Sequence, residues 1–238
     1  MAADPVRSLI VALDTDRLSL AKSLVARLRR QVRLFKVGSQ LFTAEGPRAV
    51  QELARFGAGI FLDLKFHDIP NTVAGAVSGT AALPGVRLIT VHALGGLEMM
   101  SAARRALPAS PNRPELLAVT VLTSHDAASL RRVGIARSPA EQVIRLARLA
   151  QQAGLVGVVA SPREVAAIRR ACGKNFLIVV PGVRPSWAIR GDQARVATPA
   201  ETIRAGADYL VVGRPITAAR DPRAAANRIL DEISGALV

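Results

Sequence analysis

Apolar and polar positions fall into two kinds of block along this chain. Short runs dominated by Leu, Ile, Val and Phe recur eight times, at 8–13, 33–37, 59–65, 87–92, 115–122, 156–159, 176–180 and 208–212. Each is about the length of one strand, and most are apolar at successive positions, the pattern of a strand covered on both faces. Between them the apolar residues recur at three- and four-residue spacing, which predicts helices. These cover 16–30, 46–56 (after a short segment at 40–42), 71–83, 96–107, 127–133, 139–153, 162–171, 200–205 and 222–233. Regular strand–helix alternation predicts a parallel sheet with right-handed crossovers. Eight such units predict an α/β fold of the (β/α)8 TIM-barrel type, with 1–238 as a single domain, and the length suits one. A doubly wound open sheet is the alternative.

One stretch breaks the apolar pattern with charge: Phe61-Leu62-Asp63-Leu64-Lys65-Phe66-His67-Asp68-Ile69-Pro70-Asn71-Thr72. Residues two apart on a strand share a face, so Asp63 and Lys65 point the same way, and Asp68 follows on the loop. Charges so close to a core must be paired. They form either a salt-bridged barrel end or a site. In barrels of this kind the active site lies at the C-terminal ends of the strands. Asp14 follows strand one there, Lys36 ends strand two, and Thr123 and Ser124 follow strand five. The loops after strands seven and eight are the usual phosphate site of the fold. The first, 181–198, carries Pro181-Gly182-Val183-Arg184-Pro185 and Gln193; the second opens with Gly213-Arg214-Pro215. Glycine lets backbone approach a ligand closely, and arginine offers a fork of donors to phosphate oxygens.

Composition sharpens this picture at one point. Of 32 basic residues only Lys22, Lys36, Lys65 and Lys174 are lysine, and two of these stand at strand ends. Lysine is a compact ammonium able to give up a proton, which arginine effectively never does. The formal charge of +14 suits an anionic substrate. The arginine pairs 29–30, 104–105, 131–132 and 169–170 read as solvated helix faces, and no basic, aromatic-interleaved run points to nucleic acid. No apolar run reaches the ~20 residues of a membrane span, and the first residues lack the pattern of a secretory signal. With Cys172 as its one cysteine, an inert helix-end residue, the chain is expected in the cytoplasm. His67, His92 and His125 are dispersed, follow no metal-ligand spacing and read as structural; Gly95-Gly96 reads as a helix start.

The block 62–72, with Leu13-Asp14, Phe35-Lys36-Val37-Gly38, Leu122-Thr123-Ser124, Pro181-Gly182-Val183-Arg184 and Val212-Gly213-Arg214-Pro215-Ile216, closely resembles the orotidine 5′-phosphate decarboxylase family. The matching blocks run in order along nearly the whole chain. The resemblance implies conversion of orotidine 5′-monophosphate to uridine 5′-monophosphate and CO2, without metal or organic cofactor. It implies Lys65 as proton donor to carbon 6, with Asp63 near the substrate carboxylate orienting it. Lys36 and Asp14 would hold the ribose hydroxyls and the charge network, and Thr123 would bind on the ribose and pyrimidine side. Arg184, Gln193, Gly213 and Arg214 would grip substrate and phosphate, with loop 181–198 closing as a lid; Trp187, within that loop, reads on its own as packing on the lid. Asp68 and Thr72 would reach the neighbouring subunit of a homodimer. The nearest alternative is a magnesium-dependent sugar-phosphate decarboxylase or aldolase with the same Asp-x-Lys-x-x-Asp core. A basic nucleic-acid-binding protein is the alternative outside the enzymes.

Overall fold

The structure is a computed structural model that describes residues 5–187 and 197–237. Eight strands form: β1 (Leu9–Ala12), β2 (Leu34–Gly38), β3 (Gly59–Phe66), β4 (Val86–His92), β5 (Glu115–Val119), β6 (Gly157–Val159), β7 (Leu177–Pro181) and β8 (Tyr209–Val212). They close a barrel in sequence order, β8 returning to β1, with every pairing parallel. The expected barrel is therefore observed and the open sheet is not.

Helices stand where the periodicity predicts them, and their starts follow local chemistry. Ser138 accepts a hydrogen bond from the Glu141 backbone while the Glu141 carboxylate takes the Ser138 N–H, so the helix Pro139–Gln152 begins at a closed capping box with proline in its first turn. The helix Gly96–Arg105 begins at Gly96, whose φ of 84° no larger residue adopts easily. Four elements differ from expectation. The segment expected at 40–42 is a helix over Ser39–Glu45, and short helices also form at Pro5–Ser8 and Arg214–Thr217. β5 stops at Val119, three residues early.

Period-two alternation divides the core. Ile10, Ala12, Phe61, Leu88, Leu117, Val119, Val159, Val179 and Val211 fill the barrel interior. Their chain neighbours, such as Leu9, Val11, Leu62, Ile89 and Val180, face the helices. The interior series on β3 runs Phe61, Asp63, Lys65, so one strand passes from apolar filling to charge at its C-terminal end.

One arginine pair is corrected. Arg170 is exposed, but the Arg169 guanidinium is drawn in at the opposite end of the barrel. It donates to the carbonyls of Gly173, Lys174, Phe176 and Gly206 and pairs with Asp208 at 2.7 Å. Asp208 also accepts from the Ile178 N–H at 2.7 Å, tying β7 to the start of β8. A helix-end arginine beside the open carbonyls of two loops becomes a staple rather than a solvated charge. Among the described residues no helix is long and apolar enough to cross a membrane.

Candidate active site

The charges on β1–β3 meet because of register. Ala12 lies beside Lys36, and Lys36 beside Phe61, so the Lys36 side chain enters the barrel mouth one layer below Asp63. Its Nζ lies 2.8 Å from Asp14 Oδ1 and 3.8 Å from Asp63 Oδ2. The same Asp63 oxygen accepts from Lys65 Nζ at 2.8 Å. A single carboxylate thus sits between two ammonium groups, with Asp14 balancing the outer one. Asp63 and Lys36 are mostly covered, their side chains 10% and 13% exposed, and Lys65 remains 35% exposed toward the mouth. Covering Asp63 and Lys36 is tolerable here because each has an opposite charge within reach, Lys36 against the exposed Asp14 and Asp63 against Lys65. Gly38 makes the arrangement fit: a Cβ there would lie 2.9 Å from Lys36 Nζ.

These side chains line a cavity of about 380 Å³. Thr123 and Ser124 close one side, Pro181, Gly182 and Arg184 another, and Gly213, Arg214 and Pro215 a third. Gly182 turns the chain out of β7 with φ 76°. The Arg184 N–H then donates to the Ala197 carbonyl at 3.1 Å, pinning together the two ends of the segment between them. Gln193 lies outside the described residues. Trp187 meets the last helix, Pro222–Ser234: its Nε1 donates to Glu232, and the Arg228 guanidinium sits 4.2 Å over its ring.

Asp14, Lys36, Asp63, Lys65, Thr123, Arg184, Gly213 and Arg214 are therefore brought together in one cavity. Asp68 and Thr72 are not among them. Both are exposed, and Asp68 borders a separate open depression with His67, Ile69, Pro70, Leu94 and Gly95. Ile69 is 66% exposed and Leu94 47% exposed on this face. The three dispersed histidines converge nearby, since their loops leave the same end of the barrel. His67 and His92 stack with ring centroids 5.4 Å apart. Burial, then the charges of His67, Lys65 and His125, lower the His92 pKa to about 4. Among the described residues no three His, Cys, Asp or Glu side chains group so as to hold a metal ion.

The family model described as Orotidine 5'-phosphate decarboxylase / HUMPS family matches residues 7–229. The chain belongs to that family. The orotidine 5'-phosphate decarboxylase of Geobacter sulfurreducens is 54% identical over 237 residues, 98% of this chain and 99% of the relative. That of Moorella thermoacetica is 56% identical over 231 residues, 94% of this chain and 91% of the relative. The solved structure of orotidine 5'-phosphate decarboxylase from Lactobacillus acidophilus superposes with a TM-score of 0.84 at 40% identity, covering 95% of this chain and 99% of that one. Membership in the orotidine 5'-phosphate decarboxylase / HUMPS family thus agrees with the motif resemblance. Two contributors to the site had no role assigned from the sequence: Gly38, present only within a matching block, and Thr90, an isolated hydroxyl in an apolar strand that bonds Asp63 and the Lys65 backbone.

Proposed function

We infer that this chain is a carboxy-lyase that converts orotidine 5′-monophosphate to uridine 5′-monophosphate and CO2. The observation that carries the reading is the Asp63–Lys65 pair, 2.8 Å apart at the mouth of a cavity whose far wall holds Gly213 and Arg214. Breaking the bond from carbon 6 to the carboxylate leaves its electron pair in an orbital that the pyrimidine ring does not delocalise. An ammonium fixed beside that carbon stabilises the charge as it develops. Lys65 Nζ then gives carbon 6 a proton, CO2 departs, and the lysine regains its proton from solvent. Asp63 would lie beside the substrate carboxylate. Its charge disfavours the bound acid relative to the transition state, in which the carboxylate is becoming neutral CO2.

Lys36 and Asp14 face the ribose, and Thr123 the ribose–pyrimidine junction. Arg214, Arg184 and the Gly213 backbone receive the phosphate, which lies far from the bond that breaks. Binding energy from such a remote group can still lower the barrier by fixing the ring against Lys65. The active unit is a homodimer in which Asp68 and Thr72 enter the partner's cavity. Their exposure beside the uncovered Ile69 and Leu94 supports this assignment. A chain whose one cysteine is buried has no use for an oxidising compartment, and we assign it to the cytoplasm.

A spectrophotometric assay with orotidine 5′-monophosphate, run with and without EDTA, tests the reading. Loss of substrate absorbance that is indifferent to EDTA is expected. No loss would contradict it and leave the magnesium-dependent sugar-phosphate class of the same barrel, and loss abolished by EDTA would contradict a reaction without metal.

A further inference from the structure

β3 and β4 do not pair evenly at the site. Leu62 lies opposite Ile89, yet the next registered pair is Phe66 with Val91. Four steps along β3 answer two along β4, so the segment holding Asp63 and Lys65 bulges out of the ladder. Such bulges re-aim side chains, and they do so at the cost of ladder hydrogen bonds. Lys65 also stands at φ 53°, and among the described residues it alone of the non-glycines has positive φ. A lysine in that region needs surrounding structure to hold it there.

Thr90 is the single β4 residue that faces the bulge. It is fully buried. Its Oγ1 accepts from the Lys65 backbone N–H at 2.9 Å and donates to Asp63 Oδ1 at 3.0 Å. With Oδ1 held in this way, Oδ2 is the oxygen left to meet Lys65 Nζ at 2.8 Å and Lys36 Nζ at 3.8 Å. One hydroxyl therefore replaces the missing ladder bond, holds the left-handed backbone of Lys65 and sets the rotation of the carboxylate between the two lysines.

We propose that Thr90 is a positioning residue for the decarboxylation, fixing Lys65 and Asp63 against carbon 6 without touching substrate. The proposal rests on the reading of the site given above. Its geometric content is independent of that reading: removing the hydroxyl releases the bulge, and releasing the bulge moves Lys65. Valine matches threonine in shape but can neither accept from the Lys65 N–H nor donate to Asp63. Serine keeps both bonds and loses only a methyl group.

The test compares Thr90→Val and Thr90→Ser. Three readouts are taken: kcat and KM with orotidine 5′-monophosphate, the fraction of sites titrated by uridine 5′-monophosphate, and the crystal structures of both variants. In Thr90→Val, kcat per titrated site falls about 100-fold, the loss typical of a roughly 1 Å misplacement. KM and nucleotide affinity stay within about threefold, because the phosphate grip is untouched. Lys65 Nζ moves beyond about 3.5 Å from Asp63, outside hydrogen-bond reach. Thr90→Ser restores most of kcat and the short distance. The proposal is overturned if Thr90→Val keeps kcat per titrated site within about threefold of the parent. It is equally overturned if lost activity merely tracks lost titratable sites, as a purely structural role would give. Failure of the parent protein to decarboxylate the nucleotide would instead count against the reaction assigned above, and the two variant structures would still decide whether Thr90 holds Lys65.

Discussion

The two ends of this barrel each hold a charged cluster, and they are built on opposite principles. At the N-terminal end Arg169 and Asp208 form a saturated staple. The guanidinium is spent on four backbone carbonyls and one carboxylate, and Asp208 is held by a backbone N–H as well. At the C-terminal end Asp63 is held from three sides, while Lys65 is bonded, among the described residues, to one carboxylate and faces the cavity. The first cluster has no donor to spare and can only stabilise. The second keeps an ammonium with unused donors at the mouth of a cavity of about 380 Å³. Pairing of charges therefore does not distinguish a structural bridge from a reactive one in this fold; the number of bonds left open does.

This contrast can be broken most sharply at Lys65. Lys65→Ala should lower turnover by at least about 1,000-fold, the combined loss of charge stabilisation and proton delivery, with uridine 5′-monophosphate still bound and the thermal midpoint little changed. Asp68→Asn alone should also be severely impaired. Co-refolding it with Lys65→Ala should recover about a quarter of parental activity, since random pairing makes half the dimers mixed and one of their two sites intact. Verified mixed dimers without recovery would remove Asp68 from the partner's site.

The opposite end predicts the opposite phenotype. Arg169→Met should cost about 2–4 kcal/mol of stability, because it leaves Asp208 and several carbonyls without their partner. Measured by urea unfolding, that loss should come with unchanged kcat per folded site. A kcat change comparable to that of Lys65→Ala would erase the distinction between the two clusters.

The smallest effect lies at His92, at the same end of the barrel as Lys65. Its folded pKa of about 4 is below the ordinary 6.5, so the folded chain resists a proton that the unfolded chain takes up. The neutral ring's contribution to stability is full above about pH 6.5, is lost as pH falls toward about 4, and levels off below that. For a half-buried ring screened by solvent the loss should be of order 1–2 kcal/mol. His92→Asn, which keeps an acceptor for the Leu94 N–H, should flatten that part of the urea-midpoint profile. Parallel profiles for parent and variant would show that His92 takes no part in it.

The barrel could be read from the chain because buried parallel strands announce themselves as apolar runs, and β1–β8 all lie where those runs do. The charged ring was legible for a related reason: Asp63 and Lys65 interrupt an apolar strand, and the fold dictates which end they occupy. Thr90 was not legible, since threonine is an ordinary strand former and nothing local marks the bulge across from it. Arg169 was missed because its partners are carbonyls of loops up to 37 residues away, which no helical periodicity encodes. The short helix Arg214–Thr217 lay hidden inside a motif recognised for its ligand chemistry. Long-range pairing and backbone irregularity are what the pattern of apolar positions leaves out.

The central claim is that Lys65 moves a proton onto carbon 6. By microscopic reversibility the same lysine must be able to remove it from the product. Incubating the protein with uridine 5′-monophosphate in deuterated water and following the carbon-6 hydrogen by NMR therefore tests the claim directly. Enzyme-dependent exchange that disappears in Lys65→Ala, although that variant still binds the nucleotide, is the predicted result. Exchange at the parental rate in Lys65→Ala would contradict it.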